Sequence, residues 1–518
     1  MFDLKIINGS VLDGTGKPAF RADVGIVGDR IAEVGDLGKA EARQVLEADH
    51  RVVCPGFIDV HSHSDAYLLI EPSAASKVHQ GITAEVIGNC GSSAAPRFGV
   101  AQIPSDWRAH TYPGEWRTLA EYRQLLEGVR PAVNVVALVG HNVLRASVMG
   151  YEGRAARPDE IRKMACLLES SLDEGGRGLS TGLIYPPGMY ASPEEILTLA
   201  AVVAKSGGLY TSHMRSESSG LIGALQETIG IGRQTGVRVQ VSHLKTAGQA
   251  NWHLVDAALE LMDGARREGL AVAADRYPYT SSCTDLDVIF PDWATEGGRE
   301  AELGRLRDPS ARARLRAELL ADRPDRSWGS ITIGSTTDVN ARFRGMPLEQ
   351  VAGALGLEPV DAVLHLITTD NLATSAFFQG MSETNLWRIL GQPYVMIGSD
   401  ASLRAPWGPL SSDFPHPRAY GSFPRFLRAA LDGQTVPLAE AVRKITSLPA
   451  DHFGLAGRGS LVKGNFADVV VLDPVTLRDR ATYSAPHQLA EGITHLLVNG
   501  RLTIREGVLT GERGGLWL

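Results

Sequence analysis

Residues 54–65 read CPGFIDVHSHSD, an apolar run that ends in two histidines one residue apart. Phe, Ile and Val after a Pro-Gly turn signal read as a short buried strand. Side chains alternate faces along a strand, so His61 and His63 point the same way from its end. Two imidazoles converging there suit a metal ion, and they equally suit a polar strand terminus with no chemistry. The rest of the chain repeats the format, and the repetition decides the fold.

Further apolar runs read as strands: TAEVIGNCG (83–91), VNVVALVGH (133–141), RGLSTGLIY (177–185), LYTSHM (209–214), VRVQVSHLK (237–245), LAVAADRYPY (270–279) and YVMIGSDAS (394–402). Amphipathic helical patterns lie between many of them, such as DEIRKMACLLESSLDEG (159–175) and PEEILTLAAVVAKSG (193–207), each closing at a glycine. Strand–helix alternation implies parallel sheet, and eight such strands predict an α/β protein built on a (β/α)8 TIM-like barrel. The alternative is an open doubly wound sheet, but no G-x-G-x-x-G follows the first strand. Both ends of the chain carry short strands with Gly and Asp turns, for example DLKIINGSVLDG (3–14) and ITHLLVNGRLTIREGVLTG (493–511). They are expected to pair into one small β-sandwich that the chain leaves and re-enters. The expected division is therefore sandwich at 1–55, barrel at 56–440, and a helix plus the rest of the sandwich at 441–518. An Arg- and Glu-rich stretch at about 285–345, after strand 7, is too long for an ordinary connection and predicts an inserted subdomain.

Composition narrows the function. Hydrophobic residues at 44% and charged residues at 21% are those of an ordinary globular enzyme. A net charge of −8 argues against a general nucleic-acid binder. No uninterrupted apolar stretch is long enough to span a bilayer. The opening segment MFDLKIINGSVLDGTG has polar and turn residues too early for a signal peptide. Four scattered cysteines fit a reducing compartment. The expectation is a cytoplasmic protein acting on a small molecule, with no nucleic-acid or membrane partner; the oligomeric state is open.

In a (β/α)8 barrel, functional residues collect where the C-terminal strand ends converge. Here those ends carry His61 and His63, Cys90, His213, His243 and Asp400. Imidazole, thiolate and carboxylate form the ligand set of a borderline metal such as zinc. Each residue alone has an ordinary reading: Cys90 as a small buried hydrophobe, either later histidine as a hydrogen-bonded rim residue, Asp400 as a helix cap. Their joint occurrence at successive strand ends favours a metal site.

The segments PGFIDVHSHSD, GNCGSS, GLSTGLIYPPGMYAS, TSHMRSES, VSHLKTAG, DRYPYTSS, IGSDAS and HPRAYGSFPRFL together resemble the amidohydrolase superfamily. Within it they are similar to the N-acyl-D-amino-acid deacylases (D-aminoacylases), over essentially the whole chain. The resemblance implies one tightly bound Zn2+ held by Cys90, His213 and His243. It implies a second site, weak or absent, at His61 and His63, with Cys90 bridging. Many amidohydrolases use a carboxylated lysine at the end of strand 4 as the bridge, whereas this strand has Ser180 and Thr181.

The implied reaction is hydrolysis of a linear amide by metal-activated water, with Asp400 as general base and then general acid. Asp65 reads as a supporting or structural carboxylate. By family pattern Lys245, Tyr277, Ser282 and Thr284 bind the substrate carboxylate, although Cys283 stands where relatives often have serine. Arg215 reads as a substrate contact or a structural ion pair. The stretch CTDLDVIFPDWATEGG (283–298) holds no Lys or Arg and offers Ile289, Phe290 and Trp293, which predicts a neutral, apolar side chain. The D preference comes from the resemblance alone. The alternatives are a cyclic-amide hydrolase (dihydroorotase- or hydantoinase-like) or a dipeptidase of the same superfamily, and a barrel scaffold without activity.

Overall fold

The computed structural model describes residues 1–104, 107–322 and 328–518. Eight parallel strands form the central ring: β1 (Phe57–Asp59), β2 (Ile82–Ile87), β3 (Asn134–Ala137, continued by Val139–Gly140), β4 (Gly178–Gly182), β5 (Leu209–His213), β6 (Arg238–Val241), β7 (Val272–Arg276) and β8 (Val395–Ile397). Each strand pairs with the next in chain order. The ring closes just past the ends of β1 and β8, where Ser62 bridges Ala401 in parallel. There the Asp400 N–H donates to the His61 carbonyl at 2.8 Å, and the His63 N–H to the Ala401 carbonyl at 3.3 Å. The closing contact of the barrel therefore lies within the functional face.

Local signals explain the surrounding helices. Thr118 and Glu121 form a reciprocal capping box on Leu119–Val129. Ser192 caps Pro193–Lys205, with proline at its first position and two glutamates in the first turn. Leu221–Thr235 stops at Gly236, whose φ of 74° suits a left-handed C-terminal cap. The apolar faces of these helices meet the outer strand residues in one core that includes Leu168, Leu199, Leu225 and Met262. The barrel floor is plugged by Ala450, Phe453 and Leu455 against Ile58, Val86, Leu209 and Met396.

The terminal segments form one sheet. Val469–Leu472 pairs antiparallel with Val52–Pro55, which joins the strands near the C-terminus to those near the N-terminus. Leu4, Ile6, Val24, Val53, Val469 and Leu497 share its core.

Between β7 and β8 the chain makes a long excursion. A three-stranded antiparallel sheet of Ser281–Asp285, Ser375–Gln379 and Ile331–Ile333 is packed by helices Arg299–Arg307, Pro309–Asp322, Leu348–Leu355 and Pro359–Thr369. Its own core, from Leu286 to Ala376, is separate from that of the barrel. The excursion runs beyond the 285–345 expected from composition, because its second half is as apolar as the barrel and shows no compositional break. Residues 323–327 of that expected stretch lie outside the described residues. No single helix among the described residues is long and apolar enough to cross a membrane.

Candidate metal centre

The residues expected at the strand ends converge. Ligand atoms of His61, His63, Cys90 and Asp400 lie within 4.8 Å of one another, as do those of Cys90, His213 and His243, so Cys90 belongs to both groups. Cys90 Sγ is 3.2 Å from His61 Nε2 and 3.5 Å from His243 Nε2. Asp400 Oδ1 is 3.1 Å from His63 Nε2 and 3.3 Å from His61 Nε2. Ligand atoms about 3.3–3.8 Å apart are what tetrahedral zinc requires from bonds of about 2.0–2.3 Å. Among the described residues both ring nitrogens of His213 are buried without a conventional hydrogen-bond partner, with Cys90 beside the ring and Glu217 Oε2 4.0 Å from Nε2. Such orphaned imidazole nitrogens are costly unless a ligand engages them. The donor set and the orphaned histidine both fit zinc.

Three of these residues owe their direction to left-handed backbone: Cys90 (φ 52°), His243 (φ 36°) and Asp400 (φ 50°). Non-glycine residues rarely adopt this region, and their clustering marks a site where backbone geometry is held for function. The Cys90 turn is held on both sides. A Cβ on Gly88 would lie 2.2 Å from the Leu138 carbonyl oxygen, and one on Gly91 2.4 Å from Asn142 Oδ1. Asp65 accepts from the Gly88 and Ala94 N–H groups. These two bonds brace the loop, and burial pushes the Asp65 carboxyl up to about 6. Ser180 bonds the Gly88 carbonyl and the Gly91 N–H, so the β4 position without lysine supports the thiolate.

The cluster attracts positive charge. Burial works against the Cys90 thiolate, but His61 and His243 hold its pKa well below the usual thiol value. Asp400 is likewise held low despite burial, first by Arg418 and then by His61 and His243. Burial opposes charge on His63, but Asp400 and Cys90 push it up to about 9. His213 is pulled down by burial and by His243.

Sequence reasoning missed several supporting groups. Glu217 accepts from His243 Nδ1 at 2.7 Å and pairs with Lys245. Asp275 receives His61 Nδ1 at 3.2 Å, the Gln240 amide at 2.6 Å and the His243 N–H at 3.0 Å. Carboxylates behind metal-binding histidines fix the tautomer and ring orientation. Arg418 Nη1 lies 2.6 Å from Asp400 Oδ2. Each sat in a motif already singled out, SHMRSE, ADRYPY and HPRAY. Of these only Asp275 carried a sequence signal, as the residue that alternation along β7 turns inward.

The expected substrate-binding residues divide. Lys245 reaches 2.8 Å from His243 Nδ1, although not by strand continuation, since β6 ends at Val241. The Tyr277 hydroxyl is buried without a partner, and its ring lies under the Arg276 and Arg418 guanidiniums at 4.2 and 4.7 Å. Thr284 Oγ1 bonds the Tyr185 hydroxyl at 3.1 Å, and the Tyr185 ring sits 5.0 Å from that of His213. Ser282 is half-buried opposite Phe378 in the insertion's sheet. Arg215 is structural, holding both Glu227 oxygens and the Met189 and Ala191 carbonyls. Phe290 lies in the core of the insertion, with Ile289 and Trp293 packed against it. The argument that these three line an apolar pocket is therefore corrected: they complete the insertion's own core.

A (β/α)8 barrel with two ligand groups sharing one thiolate, and a carboxylate at their edge, defines a metal-dependent hydrolase. The chain belongs to the amidohydrolase family, whose model matches residues 44–504. It is 37% identical to D-aminoacylase of Alcaligenes xylosoxydans xylosoxydans over 99% of this chain and 97% of that protein. It is 38% identical to N-acyl-D-glutamate deacylase of the same organism, over 96% and 93%. Among solved structures, N-acyl-D-glutamate deacylase from Bordetella bronchiseptica, complexed with zinc and a phosphonate mimic of the tetrahedral intermediate, superposes with a TM-score of 0.85. That match is at 35% identity and covers 100% and 99% of the two chains.

Proposed function

We propose that the protein is a zinc-dependent N-acyl-D-amino-acid deacylase that favours neutral, apolar side chains. The observation that carries the reading is the pair of ligand groups joined at Cys90, with Asp400 beside them, in a chain matched along its length by deacylases. Cys90, His213 and His243 hold the tight zinc, and His61, His63 and Cys90 form the second site. Zinc bound there supplies a Lewis acid that acidifies water and polarises an amide carbonyl.

The chain's own groups do the rest. Arg418 occupies Asp400 Oδ2, which leaves Oδ1 facing the histidines. Asp400 Oδ1 accepts the proton of the attacking water and returns it to the leaving nitrogen, so one carboxylate serves as base and then as acid. Lys245 and the unpartnered Tyr277 hydroxyl receive the α-carboxylate, with Thr284 and Ser282 completing that side. Glu217, between His243 and Lys245, ties the metal ligand to the carboxylate anchor. Overall identity does not decide the side chain, since the relative named for D-glutamate, at 38%, and the one named D-aminoacylase, at 37%, are about equally similar. The strand Ser281–Asp285 does bear on it, because Thr284 reaches Tyr185 at the site and the strand contains no Lys or Arg to pair a second carboxylate.

The test is a panel of N-acetyl-D- and L-amino acids (Leu, Phe, Met, Glu, Asp) plus hydantoins, with zinc measured on the same sample. The expected result is cleavage of D-Leu, D-Phe and D-Met substrates with at least one zinc per chain. Faster cleavage of N-acetyl-D-glutamate would overturn the side-chain preference. Turnover of L but not D substrates, or of hydantoins alone, would overturn the deacylase assignment.

A further inference from the structure

Lys77 lies on a short helix, Ala75–Val78, between β1 and β2, and its side chain is completely buried. Its ammonium meets Asp59 Oδ2 at 2.8 Å, the Ser399 hydroxyl at 3.0 Å, the Ala401 carbonyl at 3.0 Å and the Ser62 hydroxyl at 3.1 Å. Glu85 Oε2 is 3.4 Å away. Asp59 and Ser62 belong to the β1 side, and Ser399 and Ala401 to the β8 side. These residues flank the positions that carry His61, His63 and Asp400.

This seam is where the backbone does least. β4 and β5 share five residue pairs and β5 and β6 share four, whereas β1 and β8 meet through one isolated bridge, Ser62 with Ala401. Side chains supply what the ladder lacks. Asp59 accepts from the Ser399 N–H at 2.8 Å, the Ser399 hydroxyl at 2.6 Å and the His61 N–H at 3.3 Å. Glu85 accepts from the Ser62 and Ser64 hydroxyls at 2.6 and 2.7 Å. The Ser64 hydroxyl in turn receives the Leu403 N–H at 2.9 Å. Lys77 is the one cation in this group and touches both strands at once. Buried carboxylates without it would be left unpaired, the arrangement that costs most in a protein interior.

We infer that Lys77 is a positioning residue that fixes the β1–β8 seam. Through the seam it sets His61 and His63 against Asp400, while it meets the strands of the Cys90–His213–His243 group, β2, β5 and β6, only through Glu85 on β2. The inference rests on the metal centre proposed above and not on the substrate. It predicts a split that general destabilisation would not produce, namely loss at the second metal site with retention at the first.

The test uses Lys77→Met, which keeps most of the stem and removes the charge, and Ser399→Ala, which removes one tie without stranding an ion. Chelator-stripped parent and variants are titrated with Zn2+ against a competing chromophoric chelator, and with Co2+ to follow the thiolate charge-transfer band of Cys90. The expected result is a first equivalent that binds as in the parent, with its charge-transfer band intact. The second equivalent weakens about 10–100-fold in Lys77→Met and less, in the same direction, in Ser399→Ala. kcat falls while KM stays constant. If Lys77→Met does not fold, Ser399→Ala decides alone. The inference is overturned if the second equivalent stays within twofold of the parent, if both equivalents weaken together, or if the parent binds only one. Because metal binding is read without substrate, a chain that binds zinc normally but cleaves no N-acyl-D-amino acid would refute the proposed function and leave this inference standing.

Discussion

Glu302, on helix Arg299–Arg307 of the insertion, shares a hydrogen bond with Asp287, and its Oε1 is buried without a partner. Burial first, and then the Asp287 charge, push Glu302 up to about 9, and burial pushes Asp287 up to about 6. The folded chain therefore keeps a proton on Glu302 that the unfolded chain releases above its ordinary pKa of 4.5. Between those values the unfolded state binds fewer protons, so stability falls as pH rises from about 4.5 to about 9. At pH 7 the protein stands 2.5 units above that ordinary value of 4.5, which at about 1.4 kcal/mol per unit bounds the loss at about 3 kcal/mol. Glu302→Gln keeps the shape, offers an amide N–H to the Asp287 carboxylate and removes the titration. Calorimetry and hydrogen exchange of the insertion, run from pH 5 to pH 9, should show the parent losing stability across the range and the variant losing less, most clearly above about pH 6, where Asp287 has largely titrated. At pH 8 the variant should be the more stable of the two, by a margin that closes as the pH falls toward 5. Identical pH slopes for parent and variant would refute the reasoning.

Asp400→Asn should retain the tight zinc and lose about 10²–10⁴-fold in kcat, read by metal analysis and steady-state kinetics on one preparation. His213→Ala should abolish tightly bound zinc, whereas His61→Ala should keep it and mainly lower kcat; equal zinc loss in both would dissolve the distinction between the two sites. Glu217→Gln should weaken zinc about 10–100-fold and raise KM, because the same carboxylate orients His243 and holds Lys245. Tyr277→Phe should raise KM for N-acyl-D-amino acids with little change in zinc content or melting temperature, since its hydroxyl has no hydrogen-bond partner among the described residues.

The barrel and its ligands were legible because both rest on periodicity. Strand periodicity put His61, Cys90, His213, His243 and Asp400 at one face, although only His213 lies within its strand and left-handed backbone aims Cys90, His243 and Asp400. Glu217 and Arg418 were not placed, because a supporting carboxylate or guanidinium is defined by what it touches, and Asp275 was passed over although alternation turns it inward. Arg418 meets Asp400 from a helix after β8, and no local pattern links the two. The extent of the insertion was hidden for a related reason. Helices Leu348–Leu355 and Pro359–Thr369 are as apolar as barrel helices, and only their shared core with Leu286 and Trp328 assigns them elsewhere. Phe290 failed as a specificity marker in the same way, because an apolar loop residue reads alike whether it faces a substrate or a neighbouring core.

The HSH stretch explains the closure of the barrel as much as the chemistry. His61 and His63 lie past the last paired residue of β1, and Asp400 past that of β8, so the seam and the ligand set share the same residues. Left-handed backbone at Asp400, and at Cys90 and His243 on other strands, turns the ligand atoms toward one point at a cost of about 1–3 kcal/mol each. That cost persists only where the surroundings over-determine the geometry. Here they do so through the Gly88 and Gly91 contacts at Cys90, Asp275 beneath His61 and His243, and Lys77 at the seam. Strain at the ligands and dense polar bracing beneath them are therefore one feature: the barrel wall is built to hold side chains where a cation, and not the protein, completes their coordination.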